Sequence, residues 1–179
     1  MDTTLRDGEQ TNNVSFSASE KLTIAKLLLE ELHVDRIEIA STRVSEGEFN
    51  AVKGITEWAS EAGFIDKIEV LSFVDKGLSI DWMIKTGAKV QNLLTKGSLN
   101  HLTHQLKKTP EQHFKAIAES IRIALENGID TNVYLEDWSN GMRNSPDYVF
   151  RFLDFLAKQP IKRLLLPDTL GVLTPSESY

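Results

Sequence analysis

The sequence predicts an α/β fold in which parallel strands alternate with helices, and three features favour this class. Short apolar runs recur along the chain with longer helical patterns between them, no antiparallel hairpin signal joins two runs, and polar side chains follow the end of each run. We therefore expect repeated strand–helix units. A barrel and an open, doubly wound sheet both share this local pattern.

The apolar runs have the length and the β-branched content of buried parallel strands. They occupy residues 37–40, 68–73, 90–94, 132–135 and 163–166. The polar segment that begins at Asp2 has the character of a strand end, so it predicts the stub of one further strand at the start of the chain.

Signals for helix starts precede the amphipathic patterns between the runs. Ser17 with Glu20, and Ser45 with Glu48, have the spacing of a capping box. Elsewhere a Ser or Thr stands directly before a proline, which is favoured in the first helical turn; these starts are at residues 109–110, 145–146 and 174–175. A shorter helical connection is expected at residues 80–86.

The placement of the polar residues favours a barrel. Charged or hydroxyl side chains follow the strands at positions 6–7, 41–43, 75, 95–96, 136–137 and 168–169. A (β/α)8 barrel gathers such strand ends at one mouth, whereas an open sheet spreads them along an edge. We expect a partial TIM barrel of about the first six strand–helix units, truncated at both ends.

Composition argues against several classes of protein and site. The net charge of −6 over 179 residues disfavours nucleic acid and acidic membrane surfaces as partners. The chain has no cysteine, so disulfides and thiol ligands are excluded. No apolar run approaches the roughly 20 residues that span a bilayer, and a phosphate-binding loop and a Gly-x-Ser-x-Gly elbow are both absent. We expect a soluble cytoplasmic protein.

The most specific motif is the segment 2–10, Asp-Thr-Thr-Leu-Arg-Asp-Gly-Glu-Gln. With residues 132–141 and 166–171, it resembles the DRE-type metal-dependent TIM-barrel family, which includes isopropylmalate, homocitrate and citramalate synthases and hydroxymethylglutaryl-CoA lyase. The resemblance runs from Asp2 to Tyr179, and residues 134–148 are most similar to two-domain citramalate synthases. It implies that residues 1–179 are the N-terminal part of a TIM-barrel catalytic domain.

The resemblance implies an acyltransferase that condenses acetyl-CoA with a 2-keto acid in leucine or isoleucine biosynthesis. Pyruvate, which gives citramalate, is the first choice, and ketoisovalerate, which gives 2-isopropylmalate, is the second. A divalent ion (magnesium, manganese or zinc) and a homodimer are also implied. Such a reaction needs an ion that polarises the keto group, a cation for the developing alkoxide, and a base near the acetyl methyl group.

Asp7 is the expected metal ligand and Arg6 the expected cation at the alkoxide, because a carboxylate suits hard ions and a guanidinium fork suits an anionic oxygen. Glu136 is expected to contact the substrate or to take part in a proton relay, with a solvated or capping carboxylate as the alternative. The family's His-x-His ligands are not present. We interpret His101 and His104 as solvated residues.

Four further residues are expected to bind the substrate. The Tyr134 hydroxyl and the Thr169 hydroxyl are candidate hydrogen-bond donors, although Thr169 is alternatively a helix cap. Leu71 and Leu94, with Phe73, either form the wall that senses the side chain of the keto acid or belong to the barrel core.

Two competing functions stay open at this stage. One is a carbon–carbon lyase of the hydroxymethylglutaryl-CoA type, which runs related chemistry in reverse. The other is a catalytically silent fragment or assembly module. Because an incomplete barrel leaves apolar strand edges unpaired, we expect the chain expressed alone to be inactive and either to aggregate or to self-associate.

Overall fold

The computed structural model describes residues 1–178 and contains one sheet of five parallel strands. Tyr179, the last residue of the predicted domain, lies outside the described residues. The strands are β1 (Ile37–Ser41), β2 (Ile68–Phe73), β3 (Val90–Lys96), β4 (Asp130–Glu136) and β5 (Arg163–Leu165).

The strands lie side by side in the order β1-β2-β3-β4-β5, which is their order along the chain. A doubly wound sheet reverses its order at a switch point, whereas a barrel adds each new strand on the same side. Asp2 forms a single parallel bridge to Ile37 on the outer side of β1, where the stub of a first strand is predicted. The predicted partial barrel is therefore confirmed.

Helices connect successive strands, and two of them continue into a π-helical turn. They are α1 (Ala18–Lys26, continued by Leu27–Glu31), α2 (Glu46–Ala62), α3 (Leu78–Thr86), α4 (Leu99–His101, continued by Leu102–Leu106), α5 (Pro110–Glu126), α6 (Trp138–Asn144), α7 (Pro146–Leu156) and α8 (Pro175–Ser178). None of the helices within residues 1–178 is long and apolar enough to cross a membrane.

The capping boxes at the starts of α1 and α5 form as predicted. At α2 only one half of the box is made: the Ser45 hydroxyl accepts a hydrogen bond from the Glu48 N–H at 3.1 Å. The Glu48 carboxylate instead accepts from the fully buried Lys21 ammonium at 2.5 Å. A tertiary ion pair has replaced the local bond, because a buried ammonium needs a carboxylate more than an exposed N–H does.

Two apolar clusters form the core. One joins β1 and β2 to α1, α2 and α3, around Ile37, Val52 and Val70; the other joins β3 and β4 to α5 and α7, around Leu93, Ile117 and Phe152. Stacked aromatic rings extend the second cluster, and the ring centroids of Phe114 and Phe155 are 4.9 Å apart. Together the clusters cover β1 to β4 and so fix the strands whose C-terminal ends carry polar side chains.

Three local expectations were incomplete or wrong. The strand predicted at residues 163–166 ends at Leu165 and is largely exposed rather than buried, because no strand within residues 1–178 pairs with its outer side. The short helices α4 and α6 were not predicted. Each begins directly after the end of a strand, in a segment with too few residues for an amphipathic pattern.

Candidate active site

A cavity of about 510 Å³ lies at the C-terminal ends of the strands, and it contains every site residue that the sequence predicted. Its lining residues are Thr3, Arg6, Asp7, Gln10, Ser41, Leu71, Phe73, Leu94, Tyr134, Glu136, Pro167, Asp168 and Thr169. They come from the N-terminal segment, from β1 to β4, and from the segment after β5. Parallel strands in a barrel bring these distant residues together because all of their C-terminal ends face the same mouth.

The N-terminal segment forms a compact turn that presents Arg6 and Asp7 to the cavity. The backbone N–H groups of Arg6, Asp7 and Gly8 all donate to the Thr3 carbonyl oxygen, at 3.1, 2.8 and 3.2 Å. Leu5 is fully buried in the first apolar cluster and anchors the turn. Two adjacent polar residues are thereby held at the mouth by one buried leucine and a set of local hydrogen bonds.

Arg6 is bound by two carboxylates. Its Nε donates to Glu38 Oε2 at 2.5 Å, and its Nη1 donates to Asp7 Oδ1 at 2.7 Å. Burial acts to lower the pKa of Arg6, but the charges of Glu38 and Asp7 outweigh burial and raise it. Arg6 is therefore a permanent cation whose planar fork has a fixed direction.

Glu38 belongs to a polar network inside the barrel, and its carboxylate is fully buried. The Asn92 side-chain amide donates to both Glu38 Oε1 (2.6 Å) and Glu69 Oε2 (3.0 Å), and it accepts from the Asn132 amide at 2.9 Å. We call Arg6, Glu38, Glu69, Asn92 and Asn132 the interior network. Arg36 pairs with Glu69 at 3.0 Å.

Burial raises the pKa of Glu38, and the positive charge of Arg6 opposes this shift. The sequence interpretation gave Glu38 and Asn92 no role. A usable signal existed, because each is a polar residue within an apolar strand, and a buried polar side chain requires a partner.

Tyr134 lies on β4 with its ring almost fully buried. Burial, and then the negative charge of Glu38, raise the pKa of Tyr134 to about 12, while Arg6 opposes the shift. Its hydroxyl therefore stays protonated at neutral pH and is able to donate a hydrogen bond into the cavity.

Glu136 ends β4 and forms an ion pair with Lys96, which ends β3. The two residues are Cα partners in the register of the strands, so their side chains leave the sheet at the same level. The sequence placed Lys96 among the polar strand ends but assigned it no role. The pairing depends on the register between two strands 40 residues apart in sequence, which no local pattern encodes.

Thr169 reaches the cavity from the segment after β5. Its hydroxyl oxygen accepts a hydrogen bond from the backbone N–H of Asp137 at 2.9 Å. Since the oxygen acts as the acceptor in that contact, the hydroxyl proton is left to be donated to a ligand. The same contact ties the β5 segment to the end of β4.

Leu71, Phe73 and Leu94 form the apolar wall of the cavity. Leu71 is buried and Leu94 partly buried, and neither belongs to the two core clusters. Both leucines thus line the cavity, and their role in sensing the side chain of a keto acid stays a prediction.

Asp7 is the one acidic residue of the N-terminal turn whose side chain is mostly exposed, at 60%. Residues 1–178 contain no group of three histidine, cysteine, aspartate or glutamate side chains that would hold a metal ion. The exposed carboxylate suits a hard cation as a single ligand, and the described part of the chain supplies no complete coordination sphere.

His101 is not solvated, contrary to the sequence interpretation. It lies on α4 with its side chain only 16% exposed, and its Nε2 is 3.4 Å from Asp137 Oδ2. The Ser98 hydroxyl donates to the same Asp137 oxygen at 2.6 Å. Asp137 is buried in a left-handed conformation, and this unusual backbone brings α4 and α6 together around it. His104 is exposed, as expected.

Comparisons with known proteins identify the relatives of the chain. A 2-isopropylmalate synthase from Sulfurisphaera tokodaii is 38% identical over 98% of this chain and 43% of its own length. The (R)-citramalate synthase of Methanocaldococcus jannaschii is 34% identical over 99% of this chain and 34% of its own length. The chain therefore spans less than half the length of these two relatives.

Solved structures share the fold at lower sequence identity. The HMG-CoA lyase of Bacillus subtilis aligns with a TM-score of 0.74 at 18% identity, over 98% of this chain and 59% of that one. An HMG-CoA lyase from Acinetobacter baumannii, solved with coenzyme A and 3-methylmalate, aligns with a TM-score of 0.74 at 20% identity, over 98% of this chain and 58% of that one. The HMGL-like family model matches residues 1–179. The chain belongs to this HMGL-like family, within the DRE-type TIM-barrel group that its first ten residues indicated.

Proposed function

We propose that the full-length protein is an acyltransferase that condenses acetyl-CoA with a 2-keto acid. The observation that carries the proposal is the convergence of Arg6, Asp7 and Glu136 on one cavity with an apolar wall. The synthase names of the relatives support the same reaction. Residues 1–179 would form the N-terminal part of the catalytic domain, with pyruvate as the preferred keto acid and ketoisovalerate as the second.

Asp7 is the proposed metal ligand of this segment. Arg6 contacts only its Oδ1, so the exposed carboxylate keeps a second oxygen for a magnesium, manganese or zinc ion. A divalent ion bound there would polarise the keto group of the substrate. The Arg6–Asp7 contact would hold the carboxylate oxygen in one direction relative to the cation site.

Arg6 is the proposed partner of the alkoxide that forms at the keto carbon. Glu38 and Asp7 use the Nε and Nη1 donors, and the donors on Nη2 are not needed by either carboxylate. Because Glu38 fixes the guanidinium plane before the substrate binds, little reorganisation is needed as negative charge develops.

Glu136 is the proposed proton acceptor for the acetyl methyl group, directly or through one water molecule. It is the carboxylate at the end of β4, and it lines the same cavity as the N-terminal turn. After the proton is removed, the acetyl carbon attacks the keto carbon, and water then releases coenzyme A from the thioester. Thr169 and Tyr134 would donate hydrogen bonds to the carboxylate of the keto acid.

The apolar wall supports the preference for pyruvate. Leu71, Phe73 and Leu94 line the cavity together with Tyr134. Because these side chains are large, the space beside them suits the methyl group of pyruvate better than the isopropyl group of ketoisovalerate.

The test is an assay of coenzyme A release by the full-length protein with a divalent ion, acetyl-CoA and one keto acid at a time. Free thiol is followed with a colorimetric reagent, and the product is identified by mass. We expect citramalate from pyruvate at a higher kcat/KM than 2-isopropylmalate from ketoisovalerate. Cleavage of hydroxymethylglutaryl-CoA without either condensation would replace the proposal with the lyase function.

A further inference from the structure

We infer that Lys96 is a positioning residue of the same site, which acts by holding Glu136 in one orientation. This inference rests on the proposed role of Glu136. Lys96 does not line the cavity, so it would reach the reaction only through the carboxylate that it contacts.

The first support is the placement of the ion pair. The Lys96 ammonium donates to Glu136 Oε2, and the side chains of Lys96 and Glu136 are only 13% and 25% exposed. A pair that is screened so little by water is stronger than a pair on the open surface. With Oε2 held by the ammonium, Oε1 is left to meet a ligand in the cavity.

The second support is that the backbone of Lys96 is fixed by side chains from two helices. Its N–H donates to His113 Nε2 of α5 at 3.2 Å, and its carbonyl oxygen accepts from the Tyr148 hydroxyl of α7 at 2.7 Å. Burial lowers the pKa of His113 to about 4, so its ring is neutral near pH 7 and Nε2 serves as an acceptor. Both helices belong to the second apolar cluster, which makes this support rigid.

The third support is the close approach of the backbone next to the ion pair. The Gly97 N–H donates to the Glu136 carbonyl oxygen at 2.7 Å. A Cβ at Gly97 would lie 2.7 Å from the Leu135 carbonyl oxygen, and one at Gly141 would lie 2.1 Å from the Gly97 carbonyl oxygen. Only glycine fits at either place, so the ends of β3 and β4 are locked against each other.

These contacts together determine where the ammonium lies. The backbone of Lys96 is held by His113 and Tyr148 beside two obligatory glycines, and its side chain is only 13% exposed, so few positions are left to the ammonium. Glu136 is then oriented by a fixed partner rather than by solvent, and this preorganisation lowers the cost of reaching a reactive geometry.

The experiment is a double-mutant cycle in the full-length protein, with Lys96→Met, Glu136→Gln and the combined variant. We expect Lys96→Met to lower kcat about tenfold, since small misplacements of a reacting group are costly, while the KM for pyruvate changes by less than about twofold. Lys96→Arg should recover part of the loss. The combined variant should be no slower than Glu136→Gln alone, because Lys96 has no other route to the reaction.

A matched control and a readout without turnover complete the test. Lys89→Met removes an exposed lysine that directly precedes the first residue of the same strand, and it should leave kcat unchanged. The shifts in urea midpoint caused by Lys96→Met and Glu136→Gln should not add up to the shift of the combined variant, and this difference detects the contact itself. Additive shifts of the urea midpoint would overturn the inference. So would a combined variant whose kcat is lower than that of Glu136→Gln by the same factor by which Lys96→Met lowers the kcat of the wild type. A wild-type protein that makes no product but shows non-additive midpoints would refute the proposed function and leave the Lys96–Glu136 contact established.

Discussion

Two charged groups of residues, one inside the barrel and one at its mouth, differ in how far they are removed from water. In the interior network, Glu38, Glu69, Asn92 and Asn132 are all fully buried, and Arg6 extends from this network to the mouth. The Lys96–Glu136 pair lies at the mouth itself and keeps partial exposure. Buried polar groups interact strongly and tolerate no unpaired member, whereas a partly exposed pair is able to exchange partners with water or ligand.

Under the roles proposed above for Arg6 and Glu136, this difference corresponds to a division of labour. A charge that must keep one direction throughout a reaction is best placed on a buried network, as Arg6 is. A group that must gain and lose a proton needs access to the cavity, which Glu136 has. Substitutions in one region or the other should therefore have different effects, of which the largest is described first.

The largest effect is expected at the exposed neighbour of Arg6. Asp7→Asn should nearly abolish condensation and lower the affinity for divalent metal ions, because a hard cation loses its anionic ligand from this segment. Isothermal titration calorimetry with Mn²⁺ and the coenzyme A assay measure the two quantities. Unchanged metal affinity would contradict the assignment of Asp7.

The centre of the interior network should be the most sensitive position for stability. Asn92→Leu leaves the Glu38 and Glu69 carboxylates without their shared donor, so the free energy of unfolding should fall by about 3 kcal/mol. Glu136→Gln at the mouth should cost about 1 kcal/mol or less. Urea unfolding of both variants measures the comparison, and equal losses would remove the distinction between the two regions.

The loss of stability in the Asn92→Leu variant should depend on pH. Burial raises the pKa of Glu38 in the folded protein above 4.5, the usual value of a glutamate side chain. A raised carboxyl pKa means that the folded state binds more protons than the unfolded state, so stability increases as the pH falls from the folded pKa towards 4.5. The Asn92 hydrogen bond lowers the pKa of Glu38, so Asn92→Leu raises this pKa further and the variant gains more stability on acidification than the wild type. The loss caused by Asn92→Leu should therefore be smaller at pH 5 than at pH 7 when urea unfolding is measured at both.

Arg6→Lys should have a smaller effect on turnover than Asp7→Asn. The substitution keeps the charge and removes the fork that binds Glu38 and Asp7 together, so kcat should fall at least about tenfold, or roughly 1.4 kcal/mol in the barrier. The KM for acetyl-CoA should change less. Full turnover in the lysine variant would show that the fork does not stabilise the alkoxide.

The smallest effect is expected on substrate choice. Leu71→Ala or Leu94→Ala should raise the ratio of kcat/KM for ketoisovalerate to kcat/KM for pyruvate, because each substitution enlarges the cavity. The expected change in this ratio corresponds to about 1 kcal/mol or more. The assay is run with both keto acids at matched concentrations. An equal fall in kcat/KM for both keto acids would show that these leucines have a purely structural role.

The sequence by itself determined which residues end the strands. Apolar runs bounded by helix starts locate β1 to β4 to within a few residues, and the segment 2–10 indicated the family. Because parallel strands in a barrel direct their C-terminal ends to one mouth, that order was enough to expect Arg6, Asp7, Glu136 and Thr169 in a common cavity. Local pattern and topology carry this information, and neither depends on detailed packing.

Only the tertiary structure decided which partner each of these residues has. Arg6 meets Glu38 from 32 residues away, Glu136 meets Lys96 from 40 residues away, and His101 meets Asp137 across the gap between α4 and α6. The wall position of Leu71 and Leu94, and the exposure of β5, likewise follow from which strands are neighbours. Register between strands and the burial of each face set these contacts, and a shift of one residue would turn every side chain to the opposite face.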